Sequence, residues 1–322
     1  ASRTVLCTDG VQDLSISRPR ERLSWGIPSP TDPNQTVYVW FDALCNYLAL
    51  VSYPTSNPNS WPKMTHVLGK DILRFHAVMW PAMLMGAGLP LPEGLVVHGH
   101  WLMDGVKMSK SLGNVVDPID LLESVEAERV RYFLLREGSL LHDASYSEQV
   151  FRHRVQAEAF NTLGNLASRS IAVSINPSRH IPAPSVSLAF DPAAALVEVL
   201  RHLPERVRQR WERYQVREAL EETMAALNAA DKLFANAEPW KLVKGSGADR
   251  ERSTAVLAAT YEALRVCGIL LQPVLPTTMD TLLTALRVDP HKRSFADASI
   301  TTESRTLQVE RLLLWTKKKA SQ

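Results

Sequence analysis

A chain of 322 residues with 45% hydrophobic content exceeds what one core usually fills, which points to two domains. A formal net charge of +2 excludes a polybasic nucleic-acid coat, so any RNA contact must come from local patches. Three scattered cysteines, Cys7, Cys45 and Cys267, fit neither a disulfide framework nor a zinc site and suit a reducing compartment. No charged-then-apolar leader opens the chain and no run of about 18 purely apolar residues occurs, so a soluble protein is expected.

The first 30 residues, from Ala1, hold no helix start and no substantial hydrophobic element, and read as the middle of a longer or processed chain. From Thr36 the pattern alternates strand and helix. "TVYVWF" is β-branched and aromatic, followed by "DALCNYLALV" at helical spacing; "THVL" leads through Gly69 into "KDILRFHAVMWPAMLM", and "GLVVHGHW" forms a further short strand. Such units predict a parallel sheet with ligands at the carboxyl ends of its strands. Only about half of a doubly wound sheet is accounted for.

Asp117-Pro118 signals a helix start, with a carboxylate cap and proline in the first turn. "SEQVFRHRVQAEAFNTLGNLASRSIAVSI" is amphipathic, "INPSRHIPAPSVS" reads as a surface connection, and three or four more helical patterns run to about Val288, predicting an antiparallel helix bundle. The polar tail from about Asp289, ending in Lys317, Lys318 and Lys319, is expected to fray. The divisions expected are 1–117, 118–147 as connecting helices, and 148–322 as the all-helical domain.

The chemistry concentrates in "GVKMSKSLGNVVDP". Lys107 and Lys110, set among Ser109, Ser111 and Met108, suit a mobile clamp over a polyphosphate, because lysine is a compact charge on a flexible stem. The pentapeptide from Lys107 to Ser111 arises by chance in a chain of this length about once in ten thousand trials. Gly69, Lys70 and Asp71 open a helix directly after a strand, where free N–H groups and the positive dipole end favour an anion; Asp71 alone also reads as a helix cap. Trp40, Phe75 and His76 read equally as core residues, and Trp240 as a packing residue. The arginine stripe Arg206, Arg210, Arg213 and Arg217, flanked by Glu205, Glu212 and Glu218, reads as a solvated face.

The lysine pentapeptide with its "SLGN" extension resembles the second signature of class I aminoacyl-tRNA synthetases. "VYVWFDALCNYL", "GKDILRFHAVMWPAMLMGAGLP" and "VQDLSISRPR" resemble the methionyl-tRNA synthetase family, nearest its mitochondrial form. The resemblance implies the carboxyl-terminal half of a Rossmann-like catalytic domain followed by an all-α anticodon-binding bundle. It also implies methionine activation with ATP and Mg2+, and transfer to tRNA(Met). Carried over, Lys107 and Lys110 are catalytic; Gly69, Lys70, Asp71, His98, Trp101, Met108, Ser109 and Ser111 contact the nucleotide. Trp40, Ala43, Tyr47, Ile72, Phe75 and His76 form the methionine pocket, with Leu44 standing where proline is common. Asn165, Arg169 and Trp240 read the anticodon. No protein metal site, DNA or membrane partner is implied, and oligomeric state is left open. The compartment implied is the mitochondrial matrix, with a bacterial cytoplasm as alternative. His98-Gly99-His100 imitates the family's first histidine signature but follows the wrong strand; the true signature occurs nowhere in the 322 residues, so this stretch alone is expected to be catalytically incomplete. A tRNA-binding module without activity, or a synthetase for another aliphatic amino acid, are the alternatives.

Overall fold

The computed structural model describes residues 13–50, 64–307 and 309–314; Cys7 and the lysines at 317–319 lie outside them. The chain divides into two compact units, residues 1–99 and 100–322.

In the first unit, β1 (Ser17–Pro19) pairs antiparallel with β2 (Gln35–Val37). Helix α1 (Val39–Leu50) follows immediately. The strand expected over Thr36–Phe41 therefore stops at Val37, and Trp40 and Phe41 are helical. Their β propensity yields to tertiary packing, because Trp40, Leu44, Tyr47 and Leu48 recur at helical spacing and pack with Trp80 and Leu84 in one core. Strand β3 (Thr65–Gly69) runs through a 3-10 turn at Lys70–Ile72 and a π-helical turn at Phe75–Met79 into α2 (Trp80–Gly86). Strand β4 (Gly94–His98) lies parallel to β3, pairing Gly69 with His98. This is the parallel crossover that the alternating pattern predicts.

The second unit opens with β5 (Trp101–Met103) and β6 (Val106–Lys107), an antiparallel hairpin. Asp104 and Gly105 form its two-residue turn, both at positive φ (49° and 81°), as Asp-Gly does in a type I′ turn. Helix α3 (Pro118–Ser124) starts as expected: Asp117 Oδ1 accepts from the Ile119 N–H at 2.8 Å. Helix α4 (Ala127–Glu137) precedes β7 (Ala144–Tyr146), which pairs parallel with β5. Then α5 (Glu148–Arg154), a π-helical stretch Val155–Gly164 and α6 (Asn165–Ile171) form one continuous helical run.

The segment after α6 is not a surface connection. Its β8 (His180–Ile181) pairs with β9 (Arg305–Thr306), Ile181 is buried, and Asn176 Nδ2 donates to the buried Tyr261 hydroxyl. Helices α7 (Asp191–Glu212), α8 (Val216–Ala237), the single turn α9 (Pro239–Leu242), α10 (Gly247–Leu271) and α11 (Pro276–Ala285) complete the bundle. Helix α10 is long and apolar enough to cross a membrane by length and composition, yet it is the bundle's central core helix, buried throughout residues 255–271. The polar tail is not frayed up to residue 307. Arg265 donates to the carbonyls of Asp297 and Ser299, and Ala298 and Leu307 are buried. Of the arginine stripe, Arg206 and Arg210 on α7 both reach Glu222 on α8 at 2.9 Å, and Arg217 pairs with Glu221 within α8.

Helix α4 is fixed to this bundle from two directions. Glu128 accepts from the Thr278 N–H (3.1 Å) and from the Thr277 N–H, so its carboxylate caps the start of α11 where the helix dipole favours negative charge. Arg136 forms a fork with Glu158 and reaches Glu221 at 2.8 Å.

Candidate active site and RNA-facing residues

Trp40, Ala43 and Tyr47 share one face of α1, being three and four residues apart. The Trp40 ring stacks on Phe75 with centroids 4.0 Å apart and planes at 9°, and meets His76 edge-on at 6.2 Å. His76 is buried, and its Nδ1 lies 3.0 Å from the Ile72 carbonyl oxygen. A carbonyl only accepts, so Nδ1 carries the proton and Nε2 is left as acceptor for the Tyr47 hydroxyl at 2.8 Å. A hydrogen-bonded relay results, running from Tyr47 through His76 to Ile72. Burial pushes the Tyr47 phenol up, which keeps its proton in place. Ala43 is exposed on the same face, while Leu44 turns inward to join Trp80 and Leu84. The structure thus brings Trp40, Tyr47, Ile72, Phe75 and His76 together.

Sequence reasoning missed one member of this group. His66 on β3 is buried with its ring 4.4 Å from Tyr47 and 5.6 Å from His76. Its Nε2 has no hydrogen-bond partner among the described residues. Burial first, and the neighbouring His76 second, hold its imidazole below the usual histidine range. The inward-facing residues of "THVLG" alternate, and that period of two was the signal available.

Gly69 ends β3 and is itself the cap of the 3-10 turn, so Asp71 is not the helix cap that it resembles in sequence. A Cβ on Gly69 would sit 2.7 Å from Asp71 Oδ1 and 3.8 Å from His98 Cε1. A side chain at this position would have to displace the Asp71 carboxylate, so glycine keeps that carboxylate close against the end of β3. His98 Nδ1 donates to the Gly99 carbonyl at 2.8 Å, leaving Nε2 as an acceptor at the exposed strand end. Lys70 and Asp71 are both exposed beside it.

In the second unit the lysine segment leaves the β5–β6 hairpin. Lys107 is exposed, and none of the ion pairs among the described residues takes its ammonium group. Lys110 begins a 3-10 turn, Lys110–Leu112, while its side chain lies outside the described positions. Met108 and Trp101, expected to contact the nucleotide, are half-buried. Both pack against the core of Phe133, Tyr146, Phe151 and Val155, and Trp101 lies 5.6 Å from Phe133. They anchor the loop because each is the large apolar side chain facing that cluster. Ser109 and Ser111 share a hydrogen bond of 2.6 Å. Asn114, which sequence reasoning left without a role, staples the loop: its Oδ1 accepts from Ser109 N–H at 2.8 Å and its Nδ2 donates to the Lys107 carbonyl.

Within the bundle, the Arg169 guanidinium on α6 lies over two neighbouring aromatic rings, 5.1 Å from the centroid of Phe234 and 5.3 Å from that of Trp240. Asp231 lies 3.9 Å from the same guanidinium. Asn165, one turn earlier on α6, is exposed. Glu238, at a left-handed φ of 47°, turns the chain from α8 to α9 and presents Trp240 half-buried. Phe234 was not foreseen, because a buried phenylalanine in an apolar helix carries no signal of its own.

The family model described as tRNA synthetases class I (M) matches residues 2–171, and that described as the anticodon binding domain of methionyl tRNA ligase matches residues 184–309. The mitochondrial methionine–tRNA ligase of Takifugu rubripes is 41% identical over 293 residues, covering 88% of this chain and 50% of the relative. The human mitochondrial methionine–tRNA ligase gives 41% over 299 residues with the same coverages. The methionine–tRNA ligase of Mycobacterium bovis is 41% identical over 297 residues, covering 90% of this chain and 56% of the relative. Among solved structures, Mycobacterium tuberculosis methionyl-tRNA synthetase bound by methionyl-adenylate matches with a TM-score of 0.84 and 38% identity, covering 95% of this chain and 61% of that one. The chain spans about half the length of the curated relatives it matches. With both family models laid end to end along it, this chain belongs to the methionyl branch of the class I tRNA synthetases.

Proposed function

We propose that the protein carrying this chain is a methionine–tRNA ligase: it joins methionine to ATP as methionyl-adenylate and passes the methionyl group to the terminal ribose of tRNA(Met). The observation that carries the reading is the hydrogen-bonded relay of Tyr47, His76 and the Ile72 carbonyl behind the Trp40–Phe75 stack. A thioether side chain needs a shaped, polarizable and uncharged wall, and sulfur packs well on aromatic edges. Gly69, Lys70, Asp71 and His98 make the nucleotide seat at the strand ends.

In the first step a methionine carboxylate oxygen attacks the α-phosphorus and pyrophosphate leaves. In the second, a ribose hydroxyl attacks the adenylate carbonyl and AMP leaves. The first step spreads negative charge over the departing oxygens, and Lys107 with Lys110 supplies positive charge there; Ser109, Ser111, Met108 and Trp101 set the loop that carries them. Mg2+ would enter on the ATP phosphates, its usual seat, rather than in a protein cage. Asn165, Arg169 and Trp240 would read the anticodon, with residues 118–147 as the connection from catalytic to anticodon domain. Mitochondrial location is proposed from the mitochondrial relatives.

The test is methionine-dependent pyrophosphate exchange by the protein carrying this chain, with Lys107→Ala. Loss of one transition-state charge contact lowers kcat about 100-fold or more with KM for methionine little changed. An unchanged kcat refutes the role. Exchange absent altogether, beside salt-dependent tRNA binding, supports a non-catalytic tRNA-binding module instead.

A further inference from the structure

A polar cavity of about 390 Å³ lies where the C-terminal parts of α10 and α11 meet the returning tail, remote in sequence from every residue assigned above. Its charged lining is Arg265, Arg287, Lys292 and Arg305 against Asp289, Asp297 and Glu303. The carboxylates are already committed. Asp289 accepts from the His291 N–H, Asp297 from the N–H and hydroxyl of Ser294, and Glu303 pairs with Lys292 at 3.2 Å. Arg265 is committed too, through a fork to the buried Glu262 and two tail carbonyls.

Two guanidinium groups are left over. Arg305 has a side chain only 12% exposed, an Nε without a hydrogen-bond partner among the described residues, and a contact of 3.9 Å to Glu262, whose oxygens Arg265 and the Thr301 N–H already occupy. Burial holds this guanidinium below its ordinary range. Arg287 takes part in none of the ion pairs among the described residues. Its backbone is also unusual: Arg287 N–H bonds the Thr284 carbonyl and Val288 N–H the Leu283 carbonyl, the Schellman ending of α11, with Arg287 at φ 57° in the position that glycine favours. The Arg287 side chain is exposed and lines the cavity.

We propose that this cavity is a binding site for a terminal phosphate group, inorganic phosphate or a phosphate monoester, gripped between Arg287 and Arg305. Guanidinium donors match phosphate oxygens in paired geometry. The recessed Arg305 favours a terminal phosphate, since a bridging diester carries substituents on two oxygens and cannot turn three toward the cavity.

The probe is inorganic phosphate added to the 322-residue chain at constant ionic strength, read by calorimetry and by the melting midpoint. Saturable millimolar binding is expected. Arg287→Gly is expected to melt about 2–4 °C higher without phosphate, because glycine suits the left-handed turn, and to bind phosphate at least tenfold more weakly. A variant more stable yet poorer in binding cannot be explained by misfolding. Methyl phosphate should bind like phosphate and dimethyl phosphate at least tenfold more weakly. A phosphate response matched by chloride, affinity unchanged in Arg287→Gly, or equal binding of the diester each overturns the proposal.

Discussion

Tyr47 donates its hydroxyl proton to Nε2 of His76 across 2.8 Å, and the Ile72 carbonyl on the far side of the ring fixes that direction. Tyr47→Phe keeps the ring packing and strands a buried imidazole acceptor, at a cost of about 1–3 kcal/mol. In the protein carrying this chain, KM for methionine should rise about tenfold in pyrophosphate exchange while KM for ATP holds. Equal rises in both constants would mean that the relay does not serve the amino-acid pocket.

His66 gives the same unit a pH dependence whose sign is set by burial. Its folded imidazole titrates below its unfolded value of about 6.5, so in the window between the two the unfolded chain binds more protons and stability rises with pH. On acidification, stability is therefore expected to fall as pH drops below about 6.5, and to level off below the folded value. The titratable rings facing it are Tyr47 and His76. Melting curves between pH 5 and 8 should show this slope, and His66→Phe should flatten it. A slope indifferent to the substitution would place the titrating group elsewhere.

The helical bundle and the β3-to-β4 crossover were legible because their signals are local: hydrophobic period, a proline after a capping aspartate, short strands punctuated by glycine. Trp40 and Phe41 misled because their strand propensity is intrinsic, whereas their helical state comes from Leu44 and Tyr47 packing on Trp80. The tail and the proline-rich segment misled for the opposite reason. They are polar, yet Arg265 and Tyr261 on the buried central helix hold them: Arg265 donates to tail carbonyls, and Tyr261 accepts from the Asn176 side chain. Of the site, the motif residues were readable, but their supports His66, Asn114 and Phe234 were not, since each acts through a neighbour distant in sequence or through backbone atoms.

Arg136 carries the connection between α4 and the bundle. Its side chain is 9% exposed, forks onto Glu158 and reaches Glu221, while Tyr132 donates its hydroxyl to Glu158 and Arg154 pairs with the same carboxylate at 2.9 Å. One turn earlier on α4, Phe133 packs in the cluster that anchors Met108. Removing one member of such a buried network leaves charge without compensation, so Arg136→Ala should cost about 3–5 kcal/mol. Denaturant unfolding checks this. A loss under about 1 kcal/mol would mean that Arg154 alone satisfies Glu158.

Arg169 between Phe234 and Trp240 binds the α6 and α9 residues into one stacking unit rather than three independent contacts. The two rings form a tilted pair with centroids 6.1 Å apart at 51°, and the guanidinium lies over both. A base stacked on tryptophan contributes about 1–3 kcal/mol, hence Trp240→Ala in the protein carrying this chain should weaken tRNA charging about 10- to 100-fold. Arg169→Ala should reproduce most of that loss although the tryptophan is intact, and the double substitution should add little. Methionyl-adenylate formation should be unaffected in all three variants, because the stacking unit contributes no group to phosphoryl chemistry. Additive losses would separate the two residues into independent contacts, and a matching fall in adenylate formation would remove them from RNA recognition.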